Sequence, residues 1–210
     1  MSLRANALLM SLGAVLVLGA GEAWAQPKDH PPSADWIRPP HDLPRPQRGH
    51  QAHDLNFLFG ALKVAPDAAS AKAVEDRIWA LWLACDSDTT TLLMSRVKTA
   101  VDANDVDLAI KLLDTVVQIK PDYVEAWNRR ATLFYMKKEY GRAMDDIAEV
   151  LKREPRHFGA LAGLGMIMQD IGDDKDALAA YRRALAIYPL LHGVGDKVKA
   201  LSEKIEGRDI

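Results

Sequence analysis

Pro121, Pro155 and Pro189 each end an apolar helical run, in QIKPDY, KREPRH and AIYPLL, and each stands 34 residues after the last. A proline just past a helix cannot continue it, because its nitrogen carries no N–H and its ring fixes φ; it pre-sets the turn into whatever follows. A fixed period of this length implies stacked structural units. Laid over one another, the units align Leu93, Trp127 and Leu161, then Val97, Ala131 and Gly165, then Ala109, Ala143 and Ala177. Small residues recur where two helices must approach closely, and large apolar ones recur at Leu113, Ile147 and Tyr181, where the second helix needs a filler. Breakers fall inside every unit: AND before Val106, KKE before Tyr140 and GDD before Lys175. Each unit therefore reads helix, short turn, helix, proline.

The central unit carries a family resemblance. AWNRRATLFYMKKEYGRAMDDIAEVLKREP resembles a tetratricopeptide repeat (TPR), with Trp127, Ala131, Tyr140, Ala143 and Pro155 in that motif's signature slots. The flanking units are similar. Unit 90–123 has Leu93 in the tryptophan slot and Arg96 where leucine is usual; unit 158–191 has Leu161 for the tryptophan and keeps Leu164-Gly165. The resemblance covers about half of the chain. It implies an all-α fold, a right-handed superhelical solenoid of stacked helix hairpins. Of function it says little, because such repeats serve many binding tasks.

Both flanks extend this frame. Residues 55–89 turn helical, with Leu58, Leu62 and Ala65 on one stripe before Pro66 and Val74, Ile78, Leu81 and Trp82 on another, which predicts a helix pair plugging one end of the stack. Residues 192–210 put Val198, Leu201 and Ile205 on one face and lysines elsewhere, as a capping helix and tail require. Residues 1–25 read as a secretory signal: Arg4, an apolar run from Ala5 to Ala20, then Ala23-Trp24-Ala25 as the cleavage pattern, so the mature chain is expected to begin at Gln26. The apolar run is shorter than the roughly 20 residues a bilayer span needs, so no transmembrane segment is expected after cleavage. Export implies a periplasmic location. The whole chain also resembles small exported TPR proteins of Gram-negative bacteria, some tied to the cell envelope.

Residues 26–54 hold seven of the eleven prolines, a density that allows neither helix nor central strand, and read as an extended arm with Trp36-Ile37 as an isolated apolar pair. His41, His50 and His53 with Asp54 have the donor types for a loose metal site, and a metal-binding or metal-responsive protein is the alternative reading. No cofactor is expected. The single cysteine, Cys85, excludes an intrachain disulfide and reads as a small buried hydrophobe at the end of a helix.

Chemistry is scarce in the repeats. The formal net charge of −2 gives no basic excess for nucleic acid. There is no HExxH, no phosphate loop and no nucleophile with its base, and Gly163-Leu164-Gly165 sits inside a helix as a packing element, so the chain reads as a non-enzymatic adaptor or scaffold. Its partner is then a protein or peptide, with self-association left open. In stacked helix pairs the first helix of each unit lines the concave surface, and the stripe expected to stay uncovered there is Met94 and Lys98, then Asn128, Thr132 and Tyr135, then Met166 and Gln169, bordered by Arg129. Two methionines, an aromatic, amides and two cations suit an extended peptide with an acidic group. The carboxylate clamp found in some TPR proteins is not expected, because Gly159 and Gly163 occupy slots where it carries polar or basic side chains.

Overall fold

The computed structural model describes residues 51–205 and Gly207, the first three by backbone alone. The expected signal, its expected cleavage site and the expected arm up to His50 lie outside the described residues. Among those described there are nine helices and no strand: α1 (Gln51–Lys63), α2 (Ala68–Leu83), α3 (Asp88–Asp102), α4 (Val106–Ile119), α5 (Val124–Met136), α6 (Tyr140–Arg153), α7 (Phe158–Asp170), α8 (Asp174–Ile187) and α9 (Val194–Ile205). None is long and apolar enough to cross a membrane.

The 34-residue period is reproduced atom by atom in the turns. Within each unit the residue closing the first helix is left-handed: Asn104 (φ 57°), Lys138 (φ 59°) and Gly172 (φ 87°). The next N–H folds back on a helix carbonyl, Asp105 to Ala100 (2.8 Å), Glu139 to Phe134 (2.9 Å) and Asp173 to Met168 (2.8 Å), satisfying carbonyls that a helix end otherwise orphans. Asp105 and Asp173 then cap the second helix through their side chains. Between units the prolines sit second in a four-residue turn, closed by Tyr123 N–H to Lys120 (3.0 Å), His157 N–H to Glu154 (3.1 Å) and Leu191 N–H to Tyr188 (3.1 Å). The joint expected at each proline is thus a hydrogen-bonded turn, and Trp127 reinforces the first by donating its indole N–H to the Pro121 carbonyl at 2.9 Å.

Inside each hairpin the aligned positions form the core. Ala109, Ala143 and Ala177 are fully buried, as are Val116, Val150 and Ala184 two turns later. At the aligned positions Val97, Ala131 and Gly165 face the fillers Leu113, Ile147 and Tyr181 in register, and the largest filler stands against the smallest residue, Tyr181 over Gly165. The helix pairs α3 with α4, α5 with α6, and α7 with α8 stack through α4 on α5 and α6 on α7, and α9 packs on α8 as the capping helix. Arg130 ties the second unit together: it holds Asp146 with two hydrogen bonds (2.8 and 2.7 Å) and reaches Asp114 at 2.8 Å.

Three expectations are corrected. Helix α1 already begins at Gln51, so residues 51–54 belong to it rather than to the arm; no proline lies between Pro46 and Pro66, and nothing in QAHD opposes a first helical turn. Cys85 lies two residues beyond α2 and is half-buried against the core as a free thiol, since α2 stops at Leu83 before Asp86 and Ser87 open the next helix. Most consequential, α1 and α2 do not plug an end. They lie along the stack and touch α5, the start of α7 and α8, because Trp79 and Trp82 bury their rings against His157 and Phe158.

Candidate functional site

A row of contacts from α1 and α2 follows the proline turns. Tyr123 donates its hydroxyl to the Leu83 carbonyl (3.2 Å), Arg156 donates to Asn56 (2.7 Å) and stacks over Phe59 (4.2 Å), and Tyr188 donates to Glu75 (3.3 Å). The helix pair thereby walls one edge of the surface made by α5 and α7. At the wall's centre His157 is wholly buried and stacks on Trp82 with ring centroids 4.1 Å apart. Its Nδ1 accepts the N–H of Ala160 (3.0 Å), which caps α7, and so Nε2 carries the proton and donates to Glu125 at 2.8 Å. Glu125 is fully buried too and also accepts from Asn128 (3.3 Å). A neutral imidazole between a helix N-terminus and a carboxylate satisfies both partners where water has no access.

Gly159 belongs to this wall. A Cβ there would meet Trp79 Cη2 at 3.3 Å and His157 Cε1 at 3.4 Å. The glycine that disqualifies a carboxylate clamp thus has its own cause: the Trp79 ring approaches the backbone where a clamp would extend a cation. Sequence reasoning missed Trp79, Trp82 and His157 as a group, because a 75-residue separation between Trp82 and His157 leaves no local pattern. The only traces were the tryptophan density of α2 and a histidine at a unit boundary.

Next to the wall lies a hollow between α5 and α7, lined by Asn128, Ala131, Thr132 and Tyr135 from α5, Ile147 from α6, and Ala160, Gly163 and Ile167 from α7. It encloses about 10 Å³ within a wider solvent-open depression of about 230 Å³, so the enclosed part holds one water or one methyl group. Alanines and a glycine make the hole; isoleucines make its walls.

The stripe expected on this face is found there in part. Asn128, Thr132 and Tyr135 come together around the hollow. They are not an uncovered stripe, however. Asn128, Thr132 and Tyr135 are buried because α5 and α7 approach closely enough to share them, with their polar atoms used internally, and Met94 and Met166 are buried in the core as well. Thr132 donates to the Asn128 carbonyl (3.1 Å), and Tyr135 donates to Asp170 (2.9 Å), which also accepts from Tyr140 (3.2 Å). Burial, then the hydrogen bond to the Asp170 carboxylate, pushes the Tyr135 hydroxyl well above its ordinary pKa. Lys98 and Gln169 are exposed; Lys98 pairs with Asp102 (2.5 Å), and Gln169 accepts from Tyr181 (3.2 Å). Arg129 differs from all of these. It is half-buried, its Nε is buried with no hydrogen-bond partner, and it makes no ion pair among the described residues.

Metal donors do not converge among the described residues. His41 and His50 lie outside them, and of His53 only the backbone in α1 is described.

The fold matches known proteins. The tetratricopeptide repeat family matches residues 95–150 and 142–191. A TPR repeat-containing protein of Rhizobium etli is 39% identical over 153 residues, which is 73% of this chain and 75% of that protein. Among solved structures, the first TPR of Spaghetti (RPAP3) bound to the HSP90 peptide SRMEEVD superposes with a TM-score of 0.54 at 16% identity, over 59% of this chain and 98% of that one. MamA gives 0.54 at 20% identity, over 70% and 89% of the two chains. The Sgt2 TPR domain from Aspergillus fumigatus gives 0.53 at 20%, over 59% and 83%. Stacked hairpins, periodic turns and these likenesses agree: the chain belongs to the tetratricopeptide repeat proteins, an all-α solenoid fold built for protein interaction.

Proposed function

We propose that this protein is a non-enzymatic adaptor of the periplasm that holds an extended acidic segment of a partner protein against α5 and α7, in service of the cell envelope. The observation that carries the reading is Arg129 on α5, the helix that also lines the hollow: a half-buried guanidinium whose Nε lacks an acceptor. The hollow adds one small apolar recess, the polar atoms of its Asn128, Thr132 and Tyr135 being engaged within the fold. An extended peptide supplies what is missing: a carboxylate for the cation and a small side chain for the recess. The Spaghetti domain, whose structure carries an acidic peptide, makes such a ligand reasonable for this fold. The export signal in residues 1–25 supports the compartment.

Placing a photo-crosslinking residue at Gln169, which is exposed at the end of α7, tests the reading in cells. A discrete periplasmic partner, crosslinked through an acidic segment and lost with Arg129→Gln, is the expected result. Crosslinking that ignores Arg129 would move the site elsewhere. Cell fractionation and intact-mass analysis check the compartment, with a chain starting at Gln26 expected.

A further inference from the structure

The first unit of the stack leaves one surface bare. Ala160 and Ile167 of α7 face α5 across the hollow, and two periods earlier the same slots of α3 hold Leu92 and Thr99. With α1 and α2 lying along the stack, α3 has no preceding unit at these slots, and Leu92 is 56% exposed. The seam between α3 and α4 changes with it. In unit 124–157 the seam is charged: Arg130 bridges Asp146 and Asp114, while Arg142 and Arg153 lie over Phe134 and Trp127. One period earlier Arg96 keeps the cation of Arg130, but Leu108, Leu112 and Ile119 stand for Arg142, Asp146 and Arg153. Leu108 and Ile119 are 44% and 50% exposed, and Arg96 makes no ion pair among the described residues. The open end is thus apolar around a cation that lacks the carboxylate Asp146 gives Arg130.

A second bare surface has the matching chemistry. Helix α1 buries Leu58, Phe59 and Leu62, and its other face carries Asp54, Phe57, Ala61 and Val64 at helical steps of three and four. Phe57 and Val64 are 72% and 77% exposed, and Asp54 makes no ion pair among the described residues. The same steps separate Asp107, Ile110, Asp114 and Val117 on α4, the stripe that joins this helix to the next unit: Asp107 pairs with Lys137 (2.7 Å), Asp114 with Arg130 (2.8 Å), and Ile110 and Val117 are buried. The stripe on α1 is therefore patterned like one that already covers a first helix in this stack.

We propose that α1 of a second copy of this chain docks on the open end formed by α3 and α4, laying Phe57 and Val64 on Leu92 and the apolar seam with Asp54 against Arg96. Within one molecule the two surfaces cannot meet, because Arg156 holds α1 at the α6–α7 joint through Asn56 and Phe59, and α1 packs on α8. A bare carboxylate facing a bare guanidinium orients the contact and supplies each with the partner it lacks. A helix of 13 residues is about 20 Å long and 10 Å wide, so one such contact covers about 200 Å² of each surface. Two reciprocal contacts double that and close the pair as a dimer, still below the area of a stable complex, so a dissociation constant on the order of 10 to 100 micromolar is expected. The surface lies apart from the face between α5 and α7, and the dimer does not depend on the adaptor reading.

Sedimentation velocity of the chain from Gln26 onward, run from low micromolar to several hundred micromolar protein, provides the test. A reversible monomer–dimer equilibrium is expected. Phe57→Glu should weaken it by about tenfold or more, and Arg96→Asp by several-fold, with Asp54→Arg restoring the dimer on the Arg96→Asp background. These positions are exposed, so unchanged melting curves separate a lost contact from a lost fold. Disulfide trapping assigns the surfaces: with Cys85→Ala throughout, chains carrying Phe57→Cys mixed with chains carrying Leu92→Cys should form the mixed disulfide in preference to either same-site product. A monomer at every concentration, a dimer indifferent to both Phe57→Glu and Arg96→Asp, or trapping of Leu92→Cys chiefly with itself would each overturn the proposal; the last would set end against end without α1.

Discussion

Replacing Gly165 by alanine probes how closely α7 and α8 must approach. A Cβ at that position would lie 2.5, 2.6 and 2.9 Å from Cε1, Cδ1 and Cζ of Tyr181. The ring has little room to yield. It is fully buried, its hydroxyl is held by Gln169 at 3.2 Å, and the Lys197 ammonium sits 5.8 Å from its centroid. In an open helix interior, glycine to alanine stabilises by about 1 kcal/mol. Overpacking a core costs about 1 to 3 kcal/mol, and contacts this short against a fixed ring belong at the upper end. The net expectation is a loss of about 1 to 2 kcal/mol. Tyr181→Ile alone should cost about 2 to 4 kcal/mol through the void it leaves. The double variant reproduces the Ala131 and Ile147 pairing of the preceding unit, so the two costs should not add, and a coupling of about 1 to 3 kcal/mol in favour of the pair is expected. Urea unfolding followed by far-ultraviolet circular dichroism measures all four corners of the cycle. A Gly165→Ala variant as stable as the parent, or additivity within about 0.5 kcal/mol, would refute the reading that Gly165 is matched to Tyr181.

Lys138→Gly should stabilise the chain by about 0.5 to 1 kcal/mol, because Lys138 holds φ 59° where the third unit already has a glycine; calorimetric melting checks it. His157→Ala should cost about 3 to 5 kcal/mol, since it leaves Glu125 buried without its partner and α7 without its cap, and His157→Asn should recover part through the cap; urea midpoints give both. Burial holds the Glu75 carboxyl above its ordinary 4.5, the bonds from Trp79 and Tyr188 only partly opposing it. The folded state therefore keeps that proton longer than the unfolded state, so this group's contribution is full below the unfolded value and is lost as pH rises through the folded one. Glu75→Gln should flatten the decline in stability above about pH 4.5, read from unfolding curves across that window.

The repeats were legible because their causes are local and periodic. A proline every 34 residues, a breaker in each unit and alanine at fixed slots fix helix ends and hairpin contacts without reference to anything distant. Even the side of each hairpin that binds its partner follows from helical spacing. The eight groove residues were placed on the right helices by the same logic, and three of them line the hollow. Their burial was not legible, since a period places a side chain on a face but does not say how near the next helix comes.

Tertiary structure alone decided where α1 and α2 go. Their apolar stripes announce that they must be covered, but hydrophobic burial has no direction, so a stripe fits the end of a stack as well as its edge. The choice was made by contacts 75 and more residues apart: Trp82 on His157, Trp79 over Gly159, Tyr188 on Glu75. For the same reason Arg129 looked like any exposed cation until the fold buried its Nε without an acceptor. Sequence determines what each element must hide and where it ends; only the assembled chain determines which surfaces meet, and so which polar groups are left wanting a partner.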